Sequence, residues 1–170
     1  MLKVLNETIS RLPLIFNRNT LDDWKSLLID YEPPTVERVY MDLEDGIRLS
    51  LHVIQPCDKD QAFFHPHDWP SAIYILSGVY EMKVGYSSGL TAPPVATTIM
   101  LNSGSSYEMV DPDGWHSVRP IGFESRSIMV NGPSWNRPMP KVPQRKLNPL
   151  SDERKLAILN TFKKDLVRLF

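Results

Sequence analysis

The chain has 170 residues, 42% of them apolar, with 19 basic and 20 acidic side chains intermixed and a net charge of −1. That balance leaves no basic footprint for nucleic acid or anionic lipid, and no apolar run reaches the roughly 18 residues of a membrane span. A single cysteine, Cys57, excludes an internal disulfide framework and suits a reducing compartment, so a cytoplasmic protein is expected.

Three zones follow one another. Residues 1–34 read as helical: Thr20 is placed to cap a segment in which Leu21, Trp24, Leu27, Leu28 and Tyr31 recur at helical spacing, and Pro33-Pro34 ends the zone. Residues 35–137 read as short strands. Val36 to Met41 runs into Asp45-Gly46, a tight-hairpin signal, and Ile47 to Val53 returns with alternating character. Ser77-Gly78, Ser87-Ser88-Gly89, Asn102-Ser103-Gly104, Pro112-Asp113-Gly114 and Gly132-Pro133 punctuate the rest. Between them lie strand candidates at 72–76, 79–86, 96–101, 107–110, 115–119 and 125–131. Many short strands with regular turns point to a sandwich or barrel, mainly β. Residues 138–170 comprise a proline- and lysine-rich extended segment and a helix capped by Ser151, with Leu156, Leu159, Phe162, Leu166 and Leu169 on one face. That stripe requires a partner, either the barrel wall or a second subunit.

Two of the four histidines stand in His65-Pro66-His67. Alternate side chains of a strand share a face, so His-x-His sets two imidazoles side by side, about 7 Å apart at their Cα atoms. A third, His116, follows the turn Pro112-Asp113-Gly114 almost at once. Two imidazoles from one strand and one from a neighbour form a facial set that leaves positions open for water or substrate. His65, His67 and His116 are therefore the expected metal ligands.

The pattern from His65 to Gly78, followed by Pro-x-Gly and a histidine, resembles the two motifs of the cupins. The resemblance covers residues 35–137 and implies one jelly-roll β-barrel flanked by N- and C-terminal α-helices. It implies a bound divalent ion, with Fe(II) favoured and Zn, Mn or Ni as the alternatives. The motifs depart from the family pattern in several places. Ser71 stands where a glutamate ligand is usual, one residue rather than two separates Gly114 from His116, and Pro120 replaces a frequent asparagine. A set of three histidines resembles the thiol and diketone dioxygenases within that superfamily. The Ser-x-His-x-Tyr relay of the thiol dioxygenases is absent, because the matching stretch is Ser127-Ile128-Met129-Val130-Asn131.

Arg48, Ser71 and Tyr74 are the candidate catalytic residues. Arg48 shares a strand face with Ser50 and His52 and would clamp a substrate carboxylate if that face turned inward. Ser71 would ligate weakly or support a neighbour, and His52 is expected to be structural. Glu81 or Glu108 would restore a carboxylate if either pointed in. Tyr74, Tyr80, Met82 and Met129 are expected to line the interior, and Trp69, Trp115 and Trp135 to lie near its rim. Cys57 is expected to be unreactive. The expected function is a non-haem Fe(II) dioxygenase acting on a small polar or anionic molecule. The alternatives are a metal-dependent isomerase, lyase or hydrolase, and a ligand-binding module without catalysis. The expected partners are a small-molecule substrate and a second copy in a homodimer, with no nucleic acid and no membrane.

Overall fold

The alternation read in the sequence governs the middle of the chain. A computed structural model describes residues 1–136 and 147–167. Its elements are α1 (Leu2–Arg18), β1 (Lys25–Ile29), β2 (Val36–Asp42), β3 (Arg48–Ile54), β4 (His65–Pro66), β5 (Ser71–Ser77), β6 (Val79–Tyr86), β7 (Thr97–Asn102), β8 (Ser106–Met109), β9 (Gly114–Pro120), β10 (Ser125–Asn131) and α2 (Asp152–Leu166). The strands make two antiparallel sheets, one in the order β1-β2-β3-β10-β5-β8 and one in the order β4-β9-β6-β7. The protein is mainly β with two α-helices, and pairing among the described residues does not close the sheets into one barrel. No helix among those residues is long and apolar enough to cross a membrane.

The larger sheet has two faces of opposite character. Leu49, Leu51 and Val53 of β3, and Ile128 and Val130 of β10, join Leu5, Leu12 and Phe16 of α1 and Ile158, Phe162 and Leu166 of α2 in one core. The residues between them face the other way, and His52, Ile54, Ser127 and Met129 line a cavity whose far wall is β4, β6 and β9. Period-two alternation thus buries both faces of one sheet, one under helices and one under the second sheet.

The turns behave as their residues dictate. Asp45 (φ 57°) and Gly46 (φ 70°) both take positive φ, but within a 3-10 turn over Glu44–Gly46 that makes the connection longer than a two-residue hairpin. Gly78 (φ 88°) sits where β5 of one sheet gives way to β6 of the other, and a Cβ there would meet Ser125 Cβ at 2.8 Å. Ser151 caps α2, its Oγ accepting from the Arg154 N–H at 3.2 Å.

Two helical expectations need correction. Only residues 2–18 of the N-terminal zone form an α-helix; Leu21–Asp23 is a single 3-10 turn and Lys25–Ile29 is a strand. Asp23 Oδ2 accepts from both Thr20 N (2.7 Å) and Thr20 Oγ1 (2.9 Å), closing that turn on itself. Trp24 then stacks on Phe16 with centroids 5.5 Å apart, and the chain leaves as a strand paired with β2. In α2 the buried stripe is Lys155, Ile158, Leu159, Phe162 and Leu166, whereas Leu156 is exposed. It packs on the larger sheet and α1. Leu169 lies outside the described residues, as does most of the extended segment, whose end at Asn148 bridges Leu28.

Gly78→Ala should lower stability by about 2 kcal/mol or more, from the strained φ together with the clash at Ser125. Urea denaturation against the unsubstituted protein measures this, and an unchanged midpoint would contradict the close approach.

Candidate metal centre

The turn before β9 is built by Asp111, which accepts from Asp113 N through Oδ1 at 2.9 Å and from Gly114 N through its carbonyl at 3.1 Å. It delivers His116 as the third residue of β9, directly across from His65 on β4. His67 follows just past the end of β4. One nitrogen from each of the three rings lies within 4.8 Å of the others. Ring centroids are 5.0 Å apart for His65 and His116, and 4.6 Å for His67 and His116.

Neighbouring groups hold two of the rings. The Phe63 carbonyl takes the Nδ1–H of His65 at 3.1 Å, and Ser71 Oγ bonds to His67 Nδ1 at 2.7 Å. The carbonyl leaves His65 Nε2 unprotonated as a ligand atom, and ligation through His67 Nε2 requires Ser71 Oγ to accept from Nδ1–H in the same way. His116 is buried, and its Nδ1 has no hydrogen-bond partner among the described residues. Burial holds all three imidazoles neutral: it pulls His65 below its ordinary value, takes His67 to about 3 with help from His65, and sets His116 well below its usual range. Three neutral, converging imidazoles, one with an orphaned buried nitrogen, are a donor set suited to a divalent transition metal.

Ser71 does not replace the glutamate as a ligand in this arrangement. Fully buried on β5, it belongs to the larger sheet and orients His67 across the gap between sheets. Arg48 lies away from the cavity, bonded to Asp42 Oδ1 at 2.7 Å and resting over the Tyr40 ring at 4.7 Å. Tyr74 packs on the helix-side core. Neither glutamate turns inward: Glu81 faces Arg119 at 3.5 Å, and Glu108 accepts from the Met1 amine at 2.9 Å. Of the tryptophans, Trp69 lines the cavity, while Trp115 is buried and donates its indole N–H to Ser87 O at 3.2 Å. Tyr80 and Met129 line the cavity as expected. Burial raises the Cys57 thiol above its ordinary value, which agrees with an unreactive residue.

The sequence reading missed Arg38. It stands on β2 opposite His52 on β3, lines the cavity, and donates from Nε to His52 Nε2 at 2.8 Å. Burial brings its guanidinium down to about 10, and burial with the Arg38 charge holds His52 neutral. A two-residue loop at Asp45-Gly46 would have paired Val39 with His52; the longer connection observed sets Asp42 opposite Arg48 and so brings Arg38 opposite His52. Tyr107, also on the wall, shares a hydrogen bond with the buried Tyr80 hydroxyl and lies 6.1 Å from the His116 ring. The cavity encloses about 310 Å³.

No protein-family model and no curated protein matches this chain. Among solved structures, it is similar to Fe(II)-HppE with the alternative substrate (S)-1-HPP, at TM-score 0.54 and 15% identity over 66% of this chain and 58% of that one. Fe(II) HppE gives 0.53 and 17% over the same shares. Hydroxypropylphosphonic acid epoxidase from S. wedmorenis gives 0.51 and 17%, covering 66% of this chain and 57% of that one. At such identities the likeness is one of fold, and this chain spans under three-fifths of those proteins' length.

Ser71→Ala should weaken metal affinity about ten- to a hundredfold by freeing the His67 ring. Chelator competition with Zn(II) measures it, and an unchanged affinity would remove Ser71 from the site. Acid should also destabilise the metal-free protein. The four histidines have folded values below their unfolded 6.5, so their contribution is complete above pH 6.5 and is lost as pH falls through it. The expected slope below pH 6.5 is on the order of 1.4 kcal/mol per pH unit for each histidine that charges on unfolding. Urea midpoints from pH 7.5 to 5 check this, and a flat profile would mean the rings are already charged or solvated.

Proposed function

We propose that this chain is a mononuclear, metal-dependent oxidative enzyme of the cupin type, using Fe(II) held by His65, His67 and His116 to oxidise a small polar or anionic molecule. The observation that carries the reading is the convergence of three neutral imidazoles on the wall of a cavity of about 310 Å³. Two sheets facing each other across that cavity suit a jelly-roll arrangement. The solved structures that share the fold are, by name, Fe(II) proteins and an epoxidase, which supports iron and oxidative chemistry here.

A ferrous ion in this site would supply Lewis acidity and electrons for oxygen activation, with coordination positions left for substrate and oxygen. The chain's own residues do the rest. The Phe63 carbonyl and Ser71 hydroxyl hold two ligand rings in place through their Nδ1 atoms. Ile73, Met129, Val118 and Phe63 give the cavity an apolar wall that limits water. The Tyr80–Tyr107 hydroxyl pair offers a proton-bearing group on the same wall, with the Tyr107 ring 6.1 Å from that of His116. A Lewis-acid isomerase, lyase or hydrolase would gain from a carboxylate in the cavity, and the outward pairing of Glu81 and Glu108 removes both candidates.

Protein purified without chelators should carry near-stoichiometric iron by elemental analysis, and His116→Ala should lose it. Oxygen electrode screens with small organic acids should then show uptake by the iron form alone. Another metal at full occupancy, lost in His116→Ala, would keep the site and overturn the oxidative reading; no metal uptake at all would overturn both.

A further inference from the structure

Among the described residues, four arginines meet a carboxylate. Arg48 pairs with Asp42, Arg119 with Glu81, Arg126 with Asp165 and Arg154 with Glu37. Arg38 is different: among the described residues no carboxylate pairs with it, although it lines the metal cavity. Its hydrogen bond to His52 engages Nε, and among the described residues no hydrogen bond engages the four N–H donors on the terminal nitrogens. His52 is itself buried and is fixed on the strand between β2 and β10, so the bond sets the direction of the guanidinium.

An unanswered guanidinium in a partly desolvated site is costly unless a ligand completes it. The cavity's charge balance points the same way. Asp68 is the only carboxylate among the described lining residues, and it is exposed. With neutral imidazoles, a divalent ion and Arg38 bring three positive charges to about 310 Å³. A second unclaimed donor belongs to a lining residue: Trp69 lines the cavity, and its buried indole N–H has no partner among the described residues. The rest of the wall, with Ile54, Phe63, Ile73, Val118 and Met129, is apolar. Pockets of this size hold metabolite-sized ligands.

We propose that Arg38, aimed by His52, and the Trp69 indole N–H form an oxyanion subsite beside the metal centre, and that the substrate is a small oxyanion with an apolar body. The shared chemistry is a planar carboxylate or a tetrahedral phosphonate, both of which a guanidinium fork binds through paired hydrogen bonds. The proposal rests on the metal-centre reading for the substrate's placement, but the subsite itself is a property of β2, β3 and the loop before β5.

The test is calorimetric titration of the full chain with butyrate, propylphosphonate and the neutral butyramide. Zinc stoichiometry is measured first, and each variant is checked by circular dichroism. The zinc-loaded protein should bind at least one anion and not the amide, and the tighter anion identifies the head group. Arg38→Met should weaken the anion about ten- to a hundredfold with zinc stoichiometry unchanged. Arg38→Lys should lose less, and Trp69→Phe should weaken the anion several-fold while keeping the ring. Equal anion affinity in Arg38→Met, amide binding as tight as anion binding, or no anion binding by zinc-loaded protein would overturn the subsite while leaving the metal centre intact. If Arg38→Met does not fold, the Arg38→Lys and Trp69→Phe titrations decide by the same criterion. Failure to take up zinc overturns the metal reading alone; titration of the metal-free protein then decides the subsite, through loss of anion binding in the Arg38 variants.

Discussion

The pairing of β4 with β9 is the contact on which the site depends. β4 is only two residues long and bonds to β9 alone, yet it sets His65 across from His116 and leaves His67 just beyond its end. A strand so short cannot hold its own geometry, and its surroundings supply the hold. The loop that follows β4 is tied down by backbone bonds from Gly132 N to Pro70 O and from Trp135 N to Asp68 O, both 2.9 Å. Ser71 at the start of β5 then reaches back to His67. The three-histidine cluster is thus a seam between two sheets: two rings come from the smaller sheet, and the third is oriented by a hydroxyl from the larger.

That seam needs a polar interior, which a small protein can sustain only if its apolar burial lies elsewhere. The larger sheet provides this by facing two ways. Its helix-side face buries Leu49, Leu51, Ile128 and Val130 completely, each stabilising the fold by roughly 1.5–3 kcal/mol. Its inner face can then carry Ser50, His52, Ser71 and Ser127, all buried, at positions that would otherwise be core. The helices are therefore part of the site's foundation: without α1 and α2 the outer face would be exposed and the sheet would have no core.

Strands and turns were legible in the sequence because alternation and turn chemistry are local. β6 and β10 fall on the expected residues, a turn falls at Asp45-Gly46 though not as a two-residue hairpin, and Ser151 caps the expected helix. The three histidines were legible for the same reason, since His-x-His is a two-residue strand property. What misled was periodicity without context. Leu21, Trp24 and Leu28 fit a helix, but Trp24 is claimed by Phe16 and the backbone beyond it by β2, and so short a local pattern carries no record of either. Arg48 was the arginine singled out because it shares alternation with His52. The hairpin, however, places Arg48 opposite Asp42 near the turn and Arg38 opposite His52 at the cavity, so the useful information lay in the register rather than in the alternation.

The serine at position 71 ties these observations together. A glutamate ligand would have neutralised one charge of a divalent ion and left less demand for a negative group. Ser71 instead gives its hydroxyl to a ring nitrogen, so no charge is cancelled at that position. Glu81 and Glu108 are both committed to outward cations, and Arg38 adds a further positive charge on the wall. Every local choice leaves the cavity short of negative charge in the metal-loaded state. A protein interior tolerates such an imbalance where a ligand restores neutrality, because the same desolvation that penalises an uncompensated cation strengthens its attraction to an anion. In the proposed reading, the missing carboxylate would turn the cavity from a closed coordination cage into a receptor for a charged substrate.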